Sequence, residues 1–320
     1  MTDHVNRHMS EHVTSAASGM PEHGNAYEGL LEDHDDSRWA FGTGFDDPLA
    51  GVDTTVPVGV DGEDLAAYCL MLGDDALILC QRLTQWVTHA PELEEEVALA
   101  NVGLDLLGQT RLLYARAAAA DPGGVPVLPE GSPVPAEDAL AYFRDASAFR
   151  NVWLVELDNG DFAVSMTRLL VFATWRLALL QRLRGSLDPV LAAVAAKGVK
   201  EVTYHRDYAA RWVVTLAQGT AESRRRTQAA VEQVWPYLDE LFEPHAVEQR
   251  LPGVAGQSAS VRDEVDAVLQ QVLAAASLPL PALDGGRRLG GGRDGVHTET
   301  FPALIAEFQS LARAHPRGVW

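Results

Sequence analysis

Cysteine is nearly absent from this 320-residue chain: Cys69 and Cys80 are the only two, so no disulfide framework holds it together. They fall in one predicted helix, too far apart along its axis to be bridged, which points to a reducing, cytoplasmic compartment. Positive charge is also scarce, with 25 Lys and Arg against 45 Asp and Glu and a formal net charge of −20. Without a basic stripe to neutralise phosphates, nucleic-acid binding is excluded, and an anionic membrane surface would repel the chain. Long apolar runs are missing as well. The longest candidate, Leu169 to Leu180, is short for a bilayer and is interrupted by Arg176. The opening residues carry no signal-peptide apolar stretch. Finally, no segment alternates with the two-residue period of a half-buried strand, which removes sheet-based folds.

What remains is a chain with 47% apolar residues, enough for a large core, and a helical rhythm. The acidity is concentrated at the start, where residues 1–64 hold fourteen Asp and Glu against two Arg. Residues 1–60 mix His, Asp, Gly and Pro without periodicity, so they read as a disordered acidic extension that cannot offset its ordering entropy. His4, His8 and His12, spaced by four, could chelate a metal if helical. With His23 and His34 they are better read as a solvated tail, because nothing supplies an outer shell to orient them.

From Asp61 a helical domain is expected to run to residue 320. Leu65, Tyr68, Leu72, Asp75, Leu79, Arg82 and Trp86 step by three and four before Ala90-Pro91. Pro91 and the acidic run after it open a second helix that continues to about Ala120. Asp121 to Pro135 breaks the chain, and a short helix is predicted over Ala136 to Phe149. Asn159-Gly160-Asp161 starts a third long helix, with Phe162, Met166, Leu169, Ala173, Leu177, Leu180 and Leu183 on one face. Asp188-Pro189 opens a fourth, striped by Leu191, Ala195, Gly198, Val202, His205, Ala209, Trp212 and Leu216. Two long hairpins joined by a long crossover define an all-α, ferritin-like four-helix bundle. Additional helices follow, capped by Thr220 and by Ser258 or Ser260. Residues 279–296, rich in Gly with Arg287, Arg288 and Arg293, are predicted to be a flexible connector ahead of a last helix over 300–315.

In di-iron bundles a Glu and a His three residues apart project inward from each of two helices. Here the corresponding slots on the second and fourth helices read Leu106 with Gln109 and Val202 with His205. Leu and Val cannot ligate, and Gln is a poor ligand for iron. Asp75, Asp105 and Glu201 lie at similar depth and must each find a cation or reach solvent. Lys197, Lys200, Arg168, Arg176 and His205 are the available counter-charges. The residues thus suggest ion pairs where a metal cluster would otherwise sit, with no metal and no catalytic group of this chain's own.

Several separate motifs resemble, in order, the C subunits of phenylacetyl-CoA 1,2-epoxidase complexes. They are Leu72-Gly73-Asp74-Asp75-Ala76-Leu77-Ile78-Leu79 with Gln81-Arg82-Leu83, His89-Ala90-Pro91-Glu92-Leu93-Glu94-Glu95, and Leu104-Asp105-Leu106-Leu107-Gly108-Gln109. Phe149-Arg150-Asn151, Asn159-Gly160-Asp161-Phe162, Lys200-Glu201-Val202 through Tyr204-His205, and Gly295-Val296-His297-Thr298-Glu299 continue the match. Ala306-Glu307 and the final Trp320 complete it. The first sixty residues have no counterpart, and Pro302 stands where the family pattern has glycine. The resemblance implies a non-catalytic subunit, similar in fold to the catalytic A subunit but lacking its metal site. It further implies a partner set of the di-iron A subunit, a small bridging subunit and a reductase carrying NADPH, flavin and iron-sulfur chemistry, with this chain binding no cofactor. Two other readings compete. One is a di-iron oxidase using Asp75, Asp105, Glu201 and His205 as unusual ligands, and the other is a ferritin-like interaction protein unrelated to ring oxidation.

Overall fold

Helix starts are written locally. A computed structural model describes residues 49, 51–281 and 290–318. Asp61 accepts a hydrogen bond from the Asp64 amide at 3.0 Å and opens α1, Gly62–Trp86. After a 3₁₀ turn, α2 spans Leu93–Ala120. It begins two residues beyond Pro91 because Glu92, in extended backbone, takes the N-cap position. Then come α3, Ala136–Tyr142, and α4, Phe162–Leu183, whose Asp161 cap accepts from the Val164 amide at 3.1 Å. Asp188 caps α5, Pro189–Gln218, with proline in the first turn where no amide is needed. Thr220 caps α6, Ala221–Val234. Each such cap contributes about 1 kcal/mol.

The α1/α2 and α4/α5 hairpins pack into an all-α bundle, ferritin-like as the sequence indicates. Three later helices complete it: α7, Ala246–Arg250, α8, Arg262–Ala275, and α9, Phe301–Ala314. Among the described residues there is no strand, only an isolated bridge between Gly291 and Val296.

Several expectations need correction. The short crossover helix stops at Tyr142, because Arg144 turns inward to Asp74 and the chain continues in 3₁₀ turns that lay Phe149–Asn151 across α1. Ser258 does not cap α8. It opens a 3₁₀ turn, and its hydroxyl donates to Glu248 at 2.6 Å. The α4 helix is long and apolar enough to cross a membrane by length and composition alone. Residues 163–180 are buried inside the bundle and only Gln181 and Arg182 near the end are exposed, because α6 and α8 cover the side that a surface helix would leave polar. Most of the predicted extension, including its five histidines, lies outside the described residues. Its final stretch does not fit the prediction. Val52, Val56 and Val60 pack against the core, and buried Arg116 donates to the Thr54 and Thr55 carbonyls.

Candidate functional site

The four slots face inward as their spacing requires. Leu106 and Gln109 of α2 and Val202 and His205 of α5 are all buried. Leu106 and Val202 present only hydrocarbon. Gln109 is held on both ends: its Nε2 donates to Glu201 Oε2 at 3.0 Å, and its Oε1 accepts from Arg176 Nη2 at 3.3 Å. Gly198 makes room for this amide, since a Cβ there would lie 3.4 Å from it and 3.0 Å from Leu180. Lys197 completes the chain with a 3.2 Å ion pair to Glu201. His205 Nε2 meets Asp105 Oδ2 at 2.9 Å, and the Asp105 side chain is partly open to solvent.

A guanidinium therefore occupies the interior. Arg176 is fully buried on α4, and burial pushes its pKa down to about 10, with Asp75 acting in the opposite direction. Its Nε and Nη1 find no protein acceptor. A cationic side chain beside two hydrocarbon slots and a carboxamide is the wrong donor set for a dinuclear iron centre, which needs oxygen and nitrogen ligands and negative charge. Asp75, Asp105, Glu201 and His205, the set a self-sufficient oxidase would use, do not converge. Among the described residues no three His, Cys, Asp or Glu gather around a common point.

Asp75 has found its cation elsewhere. Arg293, which the sequence placed in the connector, donates from Nη2 to Asp75 Oδ2 at 2.8 Å and from Nη1 to Oδ1 at 3.1 Å. It also bonds the Met71 and Arg150 carbonyls. Burial raises the Asp75 pKa, against the pull of Arg293. Residues 290–296 are thus a fitted plug, which corrects the predicted flexible connector over this part; Arg287 and Arg288 lie outside the described residues. The glycines show why. A Cβ on Gly292 would sit 2.0 Å from the Asn151 carbonyl, and one on Gly295, at φ +79°, 2.1 Å from that of Ser147. Of the other proposed counter-charges, Arg168 serves Leu157 and Asn159, and Lys200 is exposed with no ion pair among the described residues.

The motifs far apart in sequence meet here. Asp74 accepts from Arg144, Tyr114 and the Arg150 amide, and Gly73 leaves the gap through which the Tyr114 ring passes. Glu156 accepts from Asn151 at 2.9 Å, from the Thr298 amide at 2.8 Å and from its hydroxyl at 2.6 Å, and pairs with His297 at 2.6 Å. Glu240 takes the Trp153 amide, and burial pushes its pKa up to about 8, reinforced by Asp75 and Glu156. Sequence reasoning missed Arg144, Glu156, Glu240 and Arg293. The glycine spacing around Arg293 was the available signal, since glycines that recur beside one charged residue mark close backbone approach as readily as flexibility.

Fold and interior together define a ferritin-like protein whose inward helix pair lacks a di-iron ligand set. The chain belongs to the phenylacetic acid catabolic protein family, whose model matches residues 53–320. It is 39% identical over 258 residues to the C subunit of the 1,2-phenylacetyl-CoA epoxidase of Escherichia coli (strain K12), a match covering 80% of this chain and 99% of that protein.

Proposed function

We propose that this chain is the non-catalytic structural subunit of a multicomponent di-iron monooxygenase that epoxidises the aromatic ring of phenylacetyl-CoA in aerobic phenylacetate catabolism. The observation that carries the reading is the interior of α2 and α5, where Leu106 and Val202 replace potential ligands and Gln109 is spent between Arg176 and Glu201. The E. coli relative's name supports it through the assembly it specifies. In this reading the chain binds no metal or other cofactor. Iron and oxygen chemistry belong to a catalytic A subunit of similar fold, while a reductase with NADPH, flavin and iron-sulfur groups supplies electrons and a small subunit bridges the assembly.

This chain's own residues provide a rigid body. The Asp75–Arg293, Asp74–Arg144 and Arg116–Asp188 pairs lock crossover, C-terminal loop and hairpins together, so the surface offered to the partner is preorganised. A cytoplasmic location, consistent with two buried free cysteines, and the lack of nucleic-acid or membrane partners belong to the same proposal. Co-expression with a catalytic di-iron subunit tests it. The chain should co-purify in stable stoichiometry with a protein carrying two intact Glu-x-x-His pairs, and a chain that emerges alone contradicts the reading.

A further inference from the structure

Glu240 is a buried carboxylate without a cation. It is 5% exposed in the 3₁₀ turn Asp239–Phe242, and both its oxygens accept from one donor, the Trp153 amide, at 3.1 and 2.9 Å. Among the described residues the guanidiniums around it are engaged elsewhere. Arg293 serves Asp75, Arg262 of α8 serves Asp239 and Asp266, Arg150 serves the Arg293 carbonyl, and Arg176 serves Gln109. The acidic neighbours are Asp75 of α1 and Glu156 of the crossover, which pairs with His297. Beyond them lie Glu248 of α7, which accepts from Ser258, and Asp294, which pairs with His245. An ionised Glu240 therefore adds negative charge to a buried acidic group with no cation to spare. Burial, reinforced by Asp75 and Glu156 and opposed by Arg293, raises its pKa to about 8.

What closes over Glu240 is the start of a C-terminal arm, residues 290–318. A Cβ on Gly290 would lie 2.4 Å from Glu240 Oε1 and 2.6 Å from the Trp153 ring, so only bare backbone fits against the carboxyl group. Trp153 ties the two together: its amide donates to Glu240, and its indole Nε1 donates to the Val296 carbonyl at 2.7 Å. Residues 291–296 form a compact turn, with the Asp294 and Val296 amides on the Gly291 carbonyl and the Gly295 amide on that of Gly292. Farther along, the arm is held independently, by Gln309 Nε2 on the Ala141 and Arg144 carbonyls at 3.0 and 2.9 Å. The turn can leave while α9 stays docked.

We propose that Glu240 is a proton-operated latch for this turn: while its carboxyl group is neutral residues 290–296 close over it, and loss of the proton to solvent favours an open state in which Gly290 moves aside and water solvates the carboxylate. The open state is a minor one, since the Asp75–Arg293 pair must separate with it. Its population rises with pH, and with it the exposure of the Asp75 carboxylate and the Trp153 ring on the crossover side of the bundle. The latch goes beyond the subunit reading and does not depend on it.

Hydrogen–deuterium exchange of the full chain between pH 6 and 9.5, corrected for the intrinsic pH dependence of amide exchange, tests the latch. Glu240 titrates near its ordinary value of 4.5 when open and near 8 when closed. Protection of the Asp294, Gly295 and Val296 amides should therefore fall about tenfold per pH unit up to about pH 8 and level off above it. These amides should also exchange faster than those of α4, which open only with the whole bundle. Glu240→Gln, neutral at every pH and still offering a carbonyl to the Trp153 amide, should remove the slope. Gly290→Ala should open the turn at every pH and remove the slope as well, because the carboxylate is then already hydrated, so the test does not hang on one variant. A slope that persists in Glu240→Gln overturns the latch, and its loss in His297→Gln would then assign the titration to the His297–Glu156 pair. Turn amides that exchange in step with α4, or with no pH dependence, overturn it too.

Discussion

Arg176 donates through Nη2 to Gln109 Oε1 at 3.3 Å, joining α4 to α2 inside the bundle. The contact uses the Gln109 carboxamide in a hydrogen bond and sets a positive charge beside the inward slots of α2 and α5. It differs in kind from the Asp75–Arg293 pair nearby, where both charges are satisfied bidentately. Arg176 keeps two donors without a protein acceptor, so the bundle bears its desolvation cost with little return.

That contrast gives opposite expectations for two buried arginines. Arg293→Ala leaves the Asp75 carboxylate uncompensated in the core and should cost about 3–5 kcal/mol. Arg176→Met replaces an under-satisfied cation with an apolar chain of similar length and should be neutral or stabilising. Urea midpoints of the two variants decide this, provided the denaturant slope is unchanged. Equal destabilisation by both would show that Arg176 is a structural cation like Arg293.

Glu240 sets a pH dependence. Its folded pKa is raised to about 8 by burial, so the folded state holds a proton that the unfolded chain releases near pH 4.5. The stability tied to that proton is fully present below the unfolded value and is lost as pH rises through about 8. Glu240→Gln should flatten the fall in stability between those limits while keeping a carbonyl acceptor for the Trp153 amide. Thermal midpoints across that range provide the measurement, and parallel profiles for both proteins would contradict the assignment.

Gly73 is required by its neighbour. A Cβ there would lie 2.6 Å and 2.8 Å from Tyr114 ring carbons, and the ring is pinned by its hydroxyl bonds to Asp74 and Arg144. Gly73→Ala should therefore destabilise by about 1–3 kcal/mol despite the better helix propensity of alanine. Combining it with Tyr114→Phe frees the ring to shift, so the two costs should be less than additive in a double-mutant cycle.

The parts of this fold that were legible in the sequence are those decided within a few residues. Asp61, Asp161, Asp188 and Thr220 announce their helices because a cap bonds an amide three residues on. Leu106, Gln109, Val202 and His205 were placed inward by helical period, and His205 was one of five counter-charges offered to three carboxylates, of which the structure pairs it with Asp105. Asp75 was recognised as needing a cation, but Arg293 lies 218 positions away in a glycine-rich stretch whose composition also describes a loose linker. Only the close approach of Gly292 and Gly295 to crossover carbonyls distinguishes the two. The burial of α4 over residues 163–180 was equally hidden, since its covering helices are specified elsewhere in the chain.

The central claim is that the chemistry of the assembly resides in another chain. Iron quantified separately in this protein and in its co-purified partner, after expression in iron-replete medium and separation, tests it most directly. The account predicts stoichiometric iron with the partner and none with this chain. Iron bound to this chain at one or more per molecule, and lost on substitution of His205 or Glu201, would contradict it.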